Sequence, residues 1–359
     1  MKFIQVLSSA IIGTIVITGC GTNTVNETSS KPVPAAKFDL STWKITIPTD
    51  NDNNGKVDQV SKIDIQNYSH PDYFYLDDEN NMVFATPNKA FTTANSSNTR
   101  SELHQLLGGP QLTNYAPGNN FSLKSHKNAQ SYAQIGGNLQ ATVKVNHVAK
   151  RATYSEKNPA YSVVVGQIHA TKDKTIVAEG NGFGYGNGNE PIKIYFKKWP
   201  NHQYGSVFWN YERNLPKADP NRVDIAYPVW GELWSESNEP GENGIALNEA
   251  FSYEINVVED IMHLTFTTAR HKPVTFQINL ANNIDAYGKV DKFDHPHGYK
   301  GDALFFKAGA YNQCSIKDDP GFWYPKCLGT GDWKTDKKNG DYAQVTFTRL
   351  VTGMSKKPQ

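Results

Sequence analysis

Alternation of apolar and polar residues with a period of two is the feature that most narrowly limits the fold of this chain. Side chains on an extended strand point to opposite faces in turn, so the alternation indicates strands with one buried face. It recurs in residues 140–146, 192–197, 251–258, 263–267, 274–278 and 342–347, with clusters of Gly, Pro, Asn and Asp between them. We find no long amphipathic helix and no internal repeat. The pattern predicts an all-β fold, a jelly-roll sandwich of two antiparallel sheets with a concave groove.

Charge and composition exclude several classes of protein. Hydrophobic residues make up 38% and charged residues 20% of the 359 residues, which fits neither a membrane-embedded chain nor a charge-rich disordered one. The 36 Lys and Arg against 35 Asp and Glu leave a net charge of +1. General nucleic-acid binders carry a basic excess, so we expect no nucleic-acid partner. We also expect a monomer.

The start of the chain predicts export. Lys2 precedes an apolar run over residues 3–18 that is too short and too polar for a membrane span but fits a secretory signal. The run ends in Ile17-Thr18-Gly19-Cys20, which resembles a bacterial lipobox, so we expect lipidation of Cys20. The alternative is ordinary cleavage near Gly19 that leaves a free thiol. The predicted organisation is a lipoprotein signal peptide (1–19), a flexible tether (20–36), one domain (37–352) and a C-terminal tail (353–359), in a bacterial cell envelope at the outer membrane or periplasm, or secreted.

The remaining two cysteines, Cys314 and Cys327, are an even number, which in an exported protein favours a disulfide. Turn-forming residues 318–321 lie between them and allow the two ends to meet. Two free buried thiols are the alternative.

Three further segments carry polar side chains on one strand face and apolar side chains on the other. In each, residues two apart share a face. The polar sets are Arg100, Glu102 and His104; Gln167 and His169; and Lys307, Tyr311 and Gln313, with Gly309 leaving space in the last. One such face alone is typical of a solvated strand, whereas three together favour one binding sheet.

These segments, in this order, resemble the three signature motifs of the alginate lyases of polysaccharide lyase family 7. The motifs are Arg100-Ser101-Glu102-Leu103, Gln167-Ile168-His169 and Phe306-Lys307-Ala308-Gly309-Ala310-Tyr311-Asn312-Gln313, and the resemblance spans residues 37–351. It implies a β-jelly roll that depolymerises alginate, an anionic polymer of mannuronate and guluronate, by β-elimination. The chain departs from the family at His104, where a second arginine is usual, and at Phe305, where tyrosine is usual.

The chemistry agrees with these residue types. β-Elimination removes a weakly acidic proton next to a carboxylate, whose charge must be neutralised. Arg100 and Gln167 suit that carboxylate. The resemblance implies that Tyr311 serves as acid and, for mannuronate, as base, and that His169 takes the proton from guluronate. Isoleucine at position 168 resembles the family variant that accompanies guluronate-containing substrate. No metal or organic cofactor is required.

Other residues are candidates for substrate binding. They are Glu102, His104, Lys307 and Gln313 from the motifs and Tyr195 and Lys197 from residues 192–197. Lys193, Lys198, Arg213 and Arg222 either extend a basic rim or are ordinary surface residues. The insertions at 180–190, which we expect to be a surface loop, and 214–243 are candidates for closing one end of the groove.

Residues 50–55 resemble the first half of a calcium-binding loop, with Asp58 at the ninth position, so that Asp50, Asp52, Asn54 and Asp58 are the possible ligands. Ser61 stands where such a loop has a bidentate glutamate, so we favour a solvated turn over a structural calcium site.

Two other functions stay open. A jelly-roll glycoside hydrolase needs two carboxyl groups across a sugar ring, for which Glu232 and Glu236 are the nearest pair in sequence. A non-catalytic carbohydrate-binding lipoprotein needs no acid and base.

Overall fold

The computed structural model describes residues 31–179 and 184–358, and strands dominate these residues. The strands in the first half are β1 Trp43–Thr46, β2 Gln59–Val60, β3 Phe74–Leu76, β4 Met82–Pro87, β5 Asn98–Gln105, β6 Phe121–Ser122, β7 Gln134–Ile135, β8 Gly137–His147, β9 Ala152–Thr153 and β10 Ser162–Ala170. Those in the second half are β11 Ile192–Lys197, β12 Tyr204–Glu212, β13 Asp224–Trp230, β14 Ile245–Ala246, β15 Ala250–Val258, β16 Ile261–Thr268, β17 Val274–Asn279, β18 Leu304–Ser315, β19 Lys326–Cys327 and β20 Tyr342–Gly353.

Helices are few and short. The described residues contain two α-helices, α1 Lys174–Glu179 and α2 Trp333–Asn339, and five 3₁₀ turns, at Pro34–Ala36, Asp64–Asn67, Pro117–Asn119, Ala129–Ser131 and Gly241–Asn243. Among these residues no helix has the length and apolar character needed to cross a membrane.

The strands form two sheets, as the sequence predicts. The first has the order β13-β12-β11-β10-β18-β5-β1-β2, with the short strands β6, β7, β9, β14 and β19 paired at its margins. The second has the order β17-β16-β15-β8-β20-β4-β3. Each neighbouring pair along these two paths is antiparallel. Two facing antiparallel sheets confirm the predicted jelly-roll sandwich.

Burial differs between the two sheets. On β8 and β16 of the second sheet, buried residues alternate with half-exposed ones, because one face packs in the core and the other meets water. On β18 of the first sheet all twelve residues are buried. Its inward residues, such as Phe306 and Ala308, join the core, so its outward residues must be covered by loops. The covered outer face holds the polar motifs.

The margins of the domain differ slightly from the prediction. Pro34–Ala36, which the sequence assigns to the tether, form a 3₁₀ turn in which Pro34 is buried. Residues 1–30, including the predicted signal peptide and Cys20, lie outside the described residues. Strand β20 continues to Gly353, and the backbone of Lys356 exchanges two hydrogen bonds with Asn256. The chain therefore stays attached to the second sheet beyond the predicted end of the domain.

A disulfide joins Cys314 and Cys327, with 5.0 Å between the two Cα atoms, as predicted. It closes a loop of residues 315–326. The predicted insertion at 214–243 instead contains β13, which forms the edge of the first sheet.

Candidate active site

Strand β18 lies at the centre of the site, between β10 and β5. Tyr311 pairs with Arg100 of β5, and Lys307 pairs with His104 of β5 and with Gln167 of β10. Residues directly opposite each other in an antiparallel pair project from the same face. The register therefore brings the three predicted polar sets together on one face of the first sheet.

Gly309 permits this close arrangement. Its φ of +143° is a conformation that other residues rarely adopt, and a Cβ atom there would lie 2.5 Å from the carbonyl oxygen of Ser101. The missing side chain leaves space between Lys307 and Tyr311, opposite Glu102.

Glu102 is the hub of the polar network rather than a substrate contact. Only 2% of its surface is exposed. Its Oε2 atom receives Nη1 of Arg100 at 3.0 Å and forms an ion pair with Lys307, while its Oε1 atom accepts a hydrogen bond from Nε2 of Gln167. Burial acts to raise the pKa of Glu102, but Lys307 and Arg100 outweigh burial and hold the pKa below its usual value. This corrects the prediction, because a buried carboxylate with both oxygens paired orients its neighbours and would repel an anionic sugar.

Two cations lie against the ring of Tyr311. The guanidinium carbon of Arg100 is 3.9 Å and the amine of Lys307 is 5.7 Å from the ring centroid. The phenol oxygen lies 3.2 Å from the hydroxyl of Ser96. Burial lowers the pKa of Lys307 to about 8, although Glu102 opposes that shift. The two cations and the Ser96 hydroxyl therefore surround the Tyr311 side chain with polar groups.

An oxygen atom lies close to each ring nitrogen of His169. Nδ1 lies 2.5 Å from the carbonyl oxygen of Ala170, which can only accept, so the neutral ring carries its proton on Nδ1. Nε2 lies 3.3 Å from Oε1 of Glu190, and the ring stacks on Phe305 at 5.2 Å. Burial lowers the pKa of His169, whereas Glu190 acts to raise it. A neutral imidazole with a free Nε2 lone pair can accept a proton.

The two departures from the family motif touch each other. The ring of His104 stacks on the ring of Phe305, with 4.0 Å between centroids and 16° between planes. Burial, followed by repulsion from Lys44 and Lys307, lowers the pKa of His104 well below its usual value. His104 is therefore neutral near pH 7 and does not supply the charge of the arginine that is usual there. Nε2 of His104 is buried and has no hydrogen-bond partner among the described residues.

Tyr195 and Lys197 project from the predicted face but do not reach a groove. Tyr195 has no exposed surface and packs against Phe208 and Trp234, with ring centroids 5.1 and 5.8 Å away. The amine of Lys197 donates hydrogen bonds to the backbone carbonyls of Asn158 and Trp234, both at 2.7 Å. These contacts correct the prediction, because loops cover both side chains.

Gln313 also lies out of reach. It has no exposed surface, and its Nε2 atom donates to the carbonyl oxygen of Tyr311 at 3.1 Å. Gln313 therefore supports the backbone beside Tyr311 rather than contacting a sugar.

Two charged residues of this face, Lys44 and Glu190, were not predicted from the sequence, and a third, Lys193, was predicted only as a possible part of a basic rim. Lys44 of β1 pairs with His104, and Lys193 of β11 pairs with Gln167, so both continue the polar row across the sheet. Glu190, which precedes β11, reaches His169 from the glycine-rich stretch that we expected to be a surface loop. Lys193 was available as a basic residue on the predicted face, but its residue type alone did not separate it from Lys197.

Loops close over this row of residues. Nζ of Lys172 donates to Oδ1 of Asn95 at 2.8 Å. Asn95 precedes β5 and Lys172 follows β10, and these two strands run parallel on either side of β18. The hydrogen bond therefore joins loops from opposite ends of the site. Among the proposed catalytic residues His169 has the most accessible side chain, at 25%.

The possible calcium ligands lie far from this chemistry in sequence and form an exposed to half-buried turn. Carboxylate oxygens of Asp50, Asp52 and Asp58 lie within 4.8 Å of one another. These carboxylates already accept hydrogen bonds from groups of their own loop, and Oδ1 of Asn54 accepts from the backbone of Lys56. Three carboxylates this close together suit a solvated turn and a cation site alike, so the preference for a solvated turn stays a prediction.

Comparison with known proteins gives one consistent result. A family model described as alginate lyase matches residues 38–353. An alginate lyase of Klebsiella pneumoniae is 32% identical over 329 residues, which cover 89% of this chain and 90% of that protein.

Solved structures agree. The crystal structure of the alginate lyase from Klebsiella pneumoniae has a TM-score of 0.68 at 29% identity and covers 90% of this chain and 99% of its own. That of the exolytic PL7 alginate lyase AlyA5 from Zobellia galactanivorans has a TM-score of 0.70 at 34% identity and covers 91% and 99%. The match spans both sheets and all three motifs, and the chain therefore belongs to the alginate lyases of polysaccharide lyase family 7.

Proposed function

We propose that this protein depolymerises alginate by β-elimination at 4-linked uronates and releases unsaturated oligosaccharides. The observation that carries the proposal is the placement of Arg100, Gln167, His169 and Tyr311 on three adjacent strands, with their side chains on one face. Family membership and the 32% identical Klebsiella pneumoniae alginate lyase support the same substrate.

In this mechanism Arg100 neutralises the charge of the uronate carboxylate, and Gln167 donates a hydrogen bond to it. Glu102 engages one nitrogen of each, which fixes their direction and leaves further N–H groups uncommitted. Gln167 has no exposed surface, so its amide meets the substrate only after the covering loops move. These donors stabilise the enolate-like charge that develops when the C5 proton leaves. Because protein groups supply this stabilisation, the proposed reaction requires no metal or organic cofactor.

His169 and Tyr311 move the protons. For guluronate, Nε2 of His169 takes the proton from C5, and Tyr311 gives its proton to the leaving oxygen at C4. For mannuronate, Tyr311 serves as base and as acid. The proximity of Arg100 to the Tyr311 ring supports this second role, because the guanidinium lies close enough to offset negative charge that develops during proton transfer.

We propose a preference for guluronate-containing blocks. Ile168 has no exposed surface and packs in the core between the sheets, so it acts indirectly by setting how Gln167 and His169 lie on the opposite face. Strict mannuronate specificity would contradict this.

We further propose exolytic attack. The low exposure of Arg100 and Tyr311 and the Asn95–Lys172 contact favour a site that admits a chain end rather than a continuous polymer. The 34% identical Zobellia galactanivorans enzyme is exolytic. Early accumulation of the smallest products, with little loss of viscosity, is expected. Rapid loss of viscosity would indicate internal cleavage.

The proposed location is a bacterial cell envelope, with a lipid anchor at Cys20. Ile17-Thr18-Gly19-Cys20 carries this proposal. Mass spectrometry of the mature N-terminus should find diacylglycerol on Cys20, and an unmodified terminus elsewhere would contradict it.

Incubation of the purified protein with alginate tests the reaction. β-Elimination creates a C4–C5 double bond conjugated with the carboxylate, so ultraviolet absorbance should rise with the number of new chain ends. A hydrolase would yield reducing ends without that absorbance, and a lectin would yield neither. Glu232 and Glu236 are both exposed, which gives no support to a hydrolase.

A further inference from the structure

A carboxylate stands beside the proposed base. Oε1 of Glu190 lies 3.3 Å from Nε2 of His169, and the two side chains are 16% and 25% exposed. Nδ1 of His169 is committed to the carbonyl oxygen of Ala170. The carboxylate therefore lies at the ring atom that receives the proton.

The sheet holds Glu190 rigidly. Its backbone N–H donates to Oε2 of Glu212 at 2.8 Å, and its Oε2 atom lies 3.3 Å from the amine of Lys193. That amine is also 3.0 Å from Asp224, and both Lys193 and Asp224 belong to strands of the first sheet. The preceding residue, Asn189, is fully buried.

Glu190 belongs to a group of five buried or half-buried charged residues that we call the balanced cluster. Its members are Glu190, Lys193, Glu212, Arg222 and Asp224, and Arg222 lies 2.9 Å from Glu212. Burial and the charge of Glu190 raise the pKa of Glu212 well above its usual value. The pKa of Glu190 is lowered, because Lys193 and His169 outweigh its burial. Because the pKa of Glu190 is lowered while that of Glu212 is raised, Glu190 is the member of this pair that keeps its negative charge more readily.

The other charged residues near His169 are cations, opposite in sign to Glu190. Lys307 on β18 and Arg100 on β5 disfavour a positive imidazole, and His104 on β5 is a neutral neighbour near pH 7. Phe305 covers one face of the ring and offers no charge. Glu190 is therefore the group that offsets these cations.

We propose that Glu190 is a positioning residue for His169: once Nε2 has taken the proton, the carboxylate accepts a hydrogen bond from the new N–H and stabilises the positive charge of the ring. The proposal rests on the proposed role of His169 as base. When the C5–H bond breaks, its electron pair enters the sugar enolate and the proton binds Nε2. The C4–O bond then breaks, and Tyr311 protonates the leaving oxygen. Throughout, Glu190 keeps its charge and exchanges no proton.

The test measures the pKa of His169 directly, by NMR of the full chain with ¹⁵N-labelled histidine and without substrate. The His169 signal is assigned by its loss in His169→Asn. Glu190→Gln should lower the pKa of His169 by about one unit, a tenfold loss of proton affinity. The acidic limb of kcat/KM on polyguluronate should move to lower pH by the same amount, and the rate above that limb should fall about tenfold.

Two variants serve as controls. Glu190→Asp keeps the negative charge, so the pKa of His169 should stay close to its wild-type value and most of the activity should remain. Glu259→Gln removes an exposed carboxylate that pairs with Lys124 and should change neither quantity.

An unchanged His169 pKa in folded Glu190→Gln would overturn the proposal, whatever the activity. If Glu190→Gln does not fold, Glu190→Ala is measured in its place, because it also removes the charge, and an unchanged His169 pKa there would equally overturn the proposal. A wild-type protein that forms no unsaturated products would refute the proposed function, and the substrate-free titration would still report on Glu190.

Discussion

The two sides of β10 differ in the ratio of buried cations to buried carboxylates. Towards β18, β5 and β1 lie Lys44, Arg100 and Lys307 against the single carboxylate of Glu102, a group that we call the cationic flank. Towards β11, β12 and β13 lies the balanced cluster, in which carboxylates and cations are paired.

The pKa directions follow the same division. Burial lowers the pKa of Lys44 and of Lys307 to about 8. The pKa of Lys193 is raised well above its usual value, because Asp224 and Glu190 outweigh its burial. In the cationic flank, burial and neighbouring cations lower the pKa values of the lysines, which leaves positive charge available to an anionic ligand. In the balanced cluster, carboxylates already neutralise Lys193. We infer that the cationic flank binds the polyanion and the balanced cluster sets the base.

The largest expected loss of turnover follows substitution of Tyr311, because cleavage of guluronate and of mannuronate both use it as the proton donor. Tyr311→Phe keeps the ring under Arg100 but removes the hydroxyl, so turnover should fall by about 10²–10⁴-fold on polyguluronate and polymannuronate alike. Initial rates from the ultraviolet assay give the result, with circular dichroism as the control for folding. Near wild-type rates in a folded variant would remove the proposed acid.

His169 separates the two substrates. His169→Ala should slow guluronate cleavage by about 10²–10⁴-fold, the usual contribution of a general base, and mannuronate cleavage by less, because Tyr311 serves there. The ratio of kcat/KM on the two homopolymers measures this. Equal losses on both would contradict a substrate-specific role.

Glu102 tests the hub of the cationic flank. Glu102→Gln leaves Arg100 and Lys307 buried without their carboxylate, so the free energy of unfolding at pH 7 should fall by about 3–5 kcal/mol. Chemical denaturation measures the loss. The exposed Glu259→Gln is the matched charge control and should leave the transition midpoint in place. A stable Glu102→Gln protein would mean that the hub is not needed for folding.

The pH dependence is the smallest effect and distinguishes the two sides without mutation. Lys44 and Lys307 lose their charge near pH 8 when folded and near 10.5 when unfolded. Because the unfolded chain then binds more protons, their contribution to stability rises between pH 8 and 10.5. Alginate binding should weaken as the pH rises through about 8, where Lys44 and Lys307 of the folded protein lose their charge. KM for alginate should therefore rise several-fold above pH 8. Loss of charge on Lys44 and Lys307 should not lower the unfolding midpoint over the same pH range. A KM that does not change with pH would contradict the role of the cationic flank.

The face of each side chain could be predicted from sequence, because alternation in a strand has only two phases. That argument placed Arg100, Lys307 and Tyr311 together, as the strand register shows. It could not tell that Tyr195 and Lys197 are covered, because Trp234 reaches them from a loop more than thirty residues away in sequence. Alternation gives the face and says nothing of what packs on it.

Glu190 and Lys44 were missed for different reasons. Glu190 follows a glycine- and asparagine-rich stretch that has the composition of a surface turn, and only the tertiary contacts of Asn189 and Glu212 bring it to His169. Lys44 lies in the four-residue strand β1, whose sequence Trp-Lys-Ile-Thr alternates but is too short to stand out as a strand. Short strands and turn-like segments carry too little pattern to assign a site.

A side-by-side kinetic comparison of Lys44→Met and Glu190→Gln tests the central claim most directly. Lys44 donates only to Gln59 among the described contacts, and Met keeps most of its apolar length. With alginate as substrate, Lys44→Met should raise KM several-fold with kcat nearly unchanged, because a charge that binds the polymer is lost. Glu190→Gln should lower kcat about tenfold with KM nearly unchanged. The same pattern in both variants, or the reverse assignment, would contradict the division of labour between the two sides of β10.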